Sequence, residues 1–197
     1  MGKNSRGTIR ILMCLLLVLC LGLLPGGEVF SASAAQAGKR TGFDASGIYY
    51  RKGVRQKKIL VKESGAYYYI GADGKAVQDT WISLGKSQYY FGADGKAATG
   101  ALCLMNQSTF TAELYWFSLN GKLNQKRTRE MRKAMDKYEV KLSELPLEKY
   151  LGKPKKVEVL DGCWGDGKDR NYYYDGGIVV YTGTRKGIAY YLGYGAA

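Results

Sequence analysis

The side chains with the clearest chemical capacity in this sequence are aromatic. They arrive in pairs, Tyr68 and Tyr69, Tyr89 and Tyr90, Tyr115 and Trp116, with Trp81 standing alone. The face of such a ring carries negative electrostatic potential, and its flat apolar surface packs well against other rings. The same faces stack on the flat apolar sides of sugars. These residues form the candidate ligand-binding surface, and for each of them packing inside the fold is the competing use.

The residues that most enzymes need are missing or misplaced. Histidine is absent, which excludes Ser-His-Asp and Cys-His nucleophile systems and the commonest zinc ligand. Cys163 therefore has no base beside it. Asp161, Asp166 and Asp169 share a glycine-rich loop but lack the spacing of a calcium loop, so they read as a solvated turn. Nothing in the sequence sets two of Glu139, Glu144 and Glu148 across a cleft for glycoside cleavage. The glycines do not form a phosphate-gripping loop. No enzyme, metal or cofactor is expected.

The rings sit inside a repeat. Tyr67-Tyr-Tyr-Ile-Gly-Ala-Asp-Gly-Lys75 recurs almost letter for letter as Gln88-Tyr-Tyr-Phe-Gly-Ala-Asp-Gly-Lys96, and Tyr115-Trp-Phe-Ser-Leu-Asn-Gly-Lys122 is a weaker copy. Gly47-Ile-Tyr-Tyr-Arg-Lys-Gly53 is an eroded copy in front. Aromatic residues fit a pleated strand, and Asp-Gly or Asn-Gly predicts a two-residue hairpin turn, which demands positive φ. A lone hairpin is marginal in water, so each copy must bury its rings against the next. A β-hairpin solenoid over residues 47–124 is the expectation.

With an aromatic triplet, an Asx-Gly-Lys turn and a following Thr-Gly, the stretch from Tyr89 to Gly100 resembles the cell wall-binding repeat of Gram-positive bacteria, the module of choline-binding and glucan-binding surface proteins. That resemblance implies a protein at the cell wall or surface holding teichoic acid choline, or glucan, in aromatic cages between hairpins. The sequence departs from the family pattern after the turns, where Gly-Trp is usual and this chain has Asp79-Thr80-Trp81 and then Gly100-Ala101.

Residues 1–37 read as a signal peptide: Lys3, Arg6 and Arg10, an apolar run from Ile11 to Leu24, then small residues offering cleavage after Ala34 or Ala37. The apolar run is shorter than the roughly 20 residues a spanning helix needs. Residues 38–46 read as a linker. Removal of the leader would take Cys14 and Cys20 with it, leaving Cys103 and Cys163 either to pair or to stay as thiols. It would also lower the net charge from +13 to +11, through Lys3, Arg6, Arg10 and Glu28. A field of that sign draws extracellular polyanions rather than nucleic acid, or serves solubility alone.

From residue 125 the pattern changes to a small α+β domain. Gln125–Lys141 places Met131, Ala134, Met135, Tyr138 and Leu142 on one helical face, with Arg127, Arg129, Arg132, Lys133 and Lys137 on the other. Ser143 as a cap, Pro146, Leu147, Tyr150 and Leu151, stopped by Gly152, predict a second short helix. Strands are expected at 156–160, 171–174, 178–182 and 187–192. The element order resembles that of small exported β-lactamase-inhibitor-like domains, which implies an alternative role as a protein-interaction or inhibitor-like module with an exported protein partner.

Overall fold

The computed structural model describes residues 40–197. The leader expected over residues 1–37 lies outside them. No helix among the described residues is long and apolar enough to cross a membrane. The described residues divide into two compact units, one holding residues 40–41 and Tyr50–Val54, the other Gly42–Tyr49 and Arg55–Ala197. In the first, Lys52 N–H donates to Thr41 Oγ1 (3.0 Å) and Gly53 N–H to the Arg40 carbonyl (2.7 Å). Strands β1 (Gly42–Phe43), β2 (Tyr49–Arg51) and β3 (Val54–Arg55) are short. The second unit holds the longer hairpins, the helices and the C-terminal sheet.

Three antiparallel hairpins come in succession: β4 (Ile59–Glu63) with β5 (Ala66–Ile70), β6 (Thr80–Leu84) with β7 (Ser87–Phe91), and β8 (Gly100–Asn106) with β9 (Thr111–Phe117). These are the hairpin repeats that the sequence predicts, but their tight turns are not where the sequence puts them. The turns within the first two hairpins are Ser64-Gly65, both at positive φ (48° and 84°), and Gly85-Lys86, with Gly85 at 59°.

The Asp-Gly and Asn-Gly words instead close wider reversals, one after each hairpin. Gly71 N–H donates to the Lys75 carbonyl (2.8 Å), Gly92 N–H to Lys96 (3.0 Å) and Ser118 N–H to Lys122 (2.8 Å). In the same three turns Asp73, Asp94 and Asn120 accept from the backbone N–H two residues on, at 3.1, 3.0 and 3.2 Å. The physical reason is that this Asx bond holds a reversal without left-handed backbone at the Asx residue, so only the glycine needs positive φ.

The second and third reversals then hand the chain back to the preceding hairpin. Ala97 N–H donates to the Tyr67 carbonyl, and one repeat later Leu123 N–H donates to that of Gln88, both at 2.8 Å. Ile70, Phe91 and Phe117, the last residues of their strands, have no exposure at all. Burial of a side chain of this size contributes about 1.5 to 3 kcal/mol. The turn glycines seat the stack as well as bending it: a Cβ on Gly121 would lie 2.7 Å from Ala97 Cβ and 3.4 Å from the Tyr89 ring, and one on Gly95 would lie 3.1 Å from Ala76 Cβ.

The third hairpin also joins a different core. Cys103 and Leu114 pack with Met131, Met135, Leu145, Leu151, Tyr174, Ile178, Val180 and Tyr191. Helix α1 (Gln125–Met135) starts at Asn124, whose Oδ1 accepts from Arg127 N–H at 2.9 Å. It stops short of the predicted end at Lys141. Val140–Lys141 forms β10 instead and pairs with the last strand, β14 (Ile188–Ala196), while Glu139 N–H donates to the Tyr191 carbonyl. An open sheet edge here outweighs the helix propensity of residues 136–141. Tyr138, expected on the apolar face, is consequently 62% exposed.

Helix α2 (Leu147–Leu151) begins behind Pro146 and ends at Gly152, φ 73°. Ser143 is not its cap; it lies in a single 3-10 turn, Leu142–Glu144. The expected strands are present as β11 (Lys156–Asp161), β12 (Lys168–Tyr174), β13 (Ile178–Arg185) and β14 (Ile188–Ala196), in an antiparallel sheet ordered β10-β14-β13-β12-β11. Cys103 is buried, Cys163 exposed, and both are free thiols.

Candidate functional site

Three of the aromatic candidates meet at a hollow of about 300 Å³ lined by the second and third hairpins. Trp81 on β6 stands directly opposite Tyr90 on β7, which brings their ring centroids to 5.4 Å. Tyr115 on β9 adds a third wall, 4.9 Å from Trp81 and edge-on at 64°. Trp81 is 38% exposed, so its ring is supported by its neighbours yet open to a ligand.

The remaining lining residues were not singled out by the sequence. Leu104 and Met105 supply apolar surface, Asn106 and Gln107 supply amides, and Asp79 and Glu113 supply carboxylates. Register alone places Glu113: it lies two residues before Tyr115 on the same strand face, opposite Leu104. Tyr115 donates its phenol to Glu113 Oε2 (2.5 Å) and Asn106 donates its amide to Oε1 (2.9 Å). Those two bonds, the Tyr115 one foremost, hold the Glu113 carboxyl below its ordinary range, so it is anionic at neutral pH. Burial, and next the Asp79 charge, push the Tyr90 phenol up. Burial, then Glu113, do the same for Tyr115. Both phenols therefore stay neutral and keep ring faces attractive to a cation.

One protein cation already borders the hollow. Arg132 of α1 lies over the Tyr115 ring with Cζ 4.7 Å from its centroid, donates Nε–H to the Leu114 carbonyl (2.6 Å), and sets Nη2 3.6 Å from Glu113 Oε2. It offsets part of the Glu113 charge.

The other four candidates lie elsewhere. Tyr89 is buried at 3% exposure, its ring stacked 6.3 Å from Phe91. Tyr69 is half-buried, also 6.3 Å from Phe91. Tyr68 packs on Phe43 (5.2 Å) and borders a second hollow of about 450 Å³, where Lys75 and Asp94 join the two rings. Trp116 is half-buried against the C-terminal core, with the Arg127 guanidinium 4.1 Å above its ring. The basic face of α1, expected in solvent or along a polyanion, thus sends two of its arginines onto rings.

No family model and no curated protein matches this sequence. Among solved structures the chain is similar to a multimodular pneumococcal cell wall endolysin from phage Cp-1 solved with choline, at 22% identity and a TM-score of 0.34 over 44% of this chain and 25% of that one. It is also similar to choline binding protein F from Streptococcus pneumoniae, at 17% identity and 0.32 over 77% and 51%, and to CbpJ from Streptococcus pneumoniae TIGR4, at 16% identity and 0.32 over 77% and 42%. The chain thus spans about a quarter to a half of the length of these structures. At these scores the likeness carries no functional weight by itself. What this chain is similar to is a set of choline-binding repeat structures.

Proposed function

We propose that this chain is an exported, non-catalytic surface-binding protein that holds the choline of wall teichoic acid in the hollow formed by Trp81, Tyr90 and Tyr115. The observation that supports this most is the composition of that hollow: three rings with two carboxylates, Asp79 and Glu113, at one place. Rings attract a cation through their quadrupole, and carboxylates through charge. A trimethylammonium group suits such walls because it presents only methyl surface and needs no hydrogen bond. Tyr68, Tyr69 and Tyr89 support the stack that positions these rings, while Trp116 packs against the C-terminal core.

Surface glycan is the second reading, favoured by the Asn106 and Gln107 amides, which with the carboxylates offer hydrogen bonds to hydroxyls around the exposed Trp81 face. The test is retention of residues 38–197 on purified choline-bearing walls. Elution by free choline at constant ionic strength is expected. Elution by salt alone would leave only the basic charge, elution by glucan fragments would favour the second reading, and no retention would refute surface binding.

A further inference from the structure

The repeat geometry locates a second position of the same kind, one repeat on, and that position is already occupied by the protein itself. In the second hairpin Thr80 faces Phe91 and Trp81 faces Tyr90; in the third, Gly100 faces Phe117 and Ala101 faces Trp116. Trp116 therefore stands where Tyr90 stood, and Ala101 where Trp81 stood. No further hairpin of the repeat comes after it among the described residues to supply a closing ring. Helices α1 and α2 supply Arg127 and Tyr150 instead: the Arg127 guanidinium carbon lies 4.1 Å from the Trp116 ring centroid and 5.9 Å from that of Tyr150.

We infer that Arg127 is a resident cation that plugs a latent quaternary-ammonium site on Trp116, leaving the hollow at Trp81 as the open one of the two positions. The inference rests on the reading given under Proposed function. Two details of the contact point to a position suited to a different cation. Arg127 Nη2 donates to the Lys149 carbonyl at 2.9 Å, but Nε is buried without a hydrogen-bond partner. A buried N–H left unpaired is unfavourable; a quaternary ammonium has no N–H to leave unpaired. The rings remain when Arg127 is shortened, and the Lys149 carbonyl then faces the vacated space with its negative end. Among the described residues Lys149 is the one other cation against these two rings, its Nζ 5.0 Å from the Tyr150 centroid.

Calorimetric titration with choline chloride tests the inference on the chain from residue 38 onward. Wild type is expected to bind one choline, and Arg127→Ala two, with the first site changed by less than about twofold and the second lost in the Arg127→Ala/Trp116→Leu double variant. A folded Arg127→Ala protein that still binds a single choline would overturn the plug while leaving the hollow at Trp81 intact. A wild type that binds none while Arg127→Ala binds one would uphold the plug and refute the hollow; no binding to either refutes both. Trp116→Leu alone provides a check that does not depend on the folding of the arginine variant. It is expected to leave wild-type choline affinity unchanged, and a weakening of about fivefold or more would show that Trp116 already meets the ligand and that no plug exists.

Discussion

Removing the Trp81 ring while keeping an apolar side chain, as in Trp81→Leu, isolates the largest single contribution to the proposed site. A ring on a cation contributes about 0.5 to 1 kcal/mol when exposed and about 2 when desolvated. Trp81 is 38% exposed and flanked by two rings, which puts its contribution near the middle, about 1 to 1.5 kcal/mol. That converts to a weakening of choline binding by about tenfold. The same substitution removes the edge and tilted contacts of Trp81 with Tyr115, Tyr90 and Phe117, at 4.9, 5.4 and 5.7 Å. Such pairs are each worth about 0.5 to 1.5 kcal/mol beyond area burial, so some stability is lost too. Titration calorimetry should therefore be run beside a urea unfolding curve, at a temperature where both proteins are fully folded. A folded Trp81→Leu protein whose affinity stays within about twofold of wild type would refute the assignment of Trp81 as a ligand wall.

Individual side chains yield further expectations. Glu113 has a folded pKa below its ordinary value of 4.5, so its stabilising bonds and its pull on a cation are complete above that value and disappear as pH falls through the lower folded pKa; choline titrations from pH 7 down to 3 should weaken in that window, and Glu113→Gln should flatten the change. Gly121→Ala meets both a left-handed φ of 79° and the Ala97 Cβ at 2.7 Å, whereas Gly100→Ala, at φ 74°, meets nothing within 4 Å. Gly100→Ala should cost about 1 to 2 kcal/mol of unfolding free energy and Gly121→Ala about 1 to 3 more, and equal losses would contradict the close seating of the turns. Burial lifts the Cys103 thiol from 9.0 to about 11, so its contribution to stability is full below pH 9.0 and lost as pH rises through about 11. At pH 8 a thiol reagent should label Cys163 alone in the native protein and both thiols in denaturant; absence of labelling in denaturant would reveal a disulfide.

The hairpins are legible in the sequence because their letters act locally. Asp-Gly-Lys marks a chain reversal wherever it stands, and alternating rings mark a strand. Local reasoning misses the kind of reversal, since the Asx bond of Asp73 and Asp94 and the tight Ser64-Gly65 turn serve different ends of the same hairpin. The fate of each ring is less legible. Tyr68, Tyr89 and Tyr115 occupy one repeat position, yet the turn at Gly95 comes close to the Tyr68 ring and that at Gly121 closer still to Tyr89. Tyr115 has no later turn of the repeat to cover it, and it borders the hollow with Arg132 over its face. Whether a ring is covered thus depends on the segment one repeat further along the chain. Asp79 and Glu113 lie outside the repeated words, and only strand register brings them beside the rings. In the C-terminal part, apolar periodicity extends helix α1 too far, because the edge of β14 that captures Val140 and Lys141 belongs to residues about 50 positions further on.

The central claim is that a quaternary ammonium rests in the corner made by Trp81, Tyr90 and Tyr115. Intermolecular nuclear Overhauser effects from the choline methyl protons test it most directly. Cross-peaks to the Trp81 indole and to the Tyr90 and Tyr115 rings, with none to Trp116, are predicted. Saturating choline that shows cross-peaks to none of those three rings would contradict it.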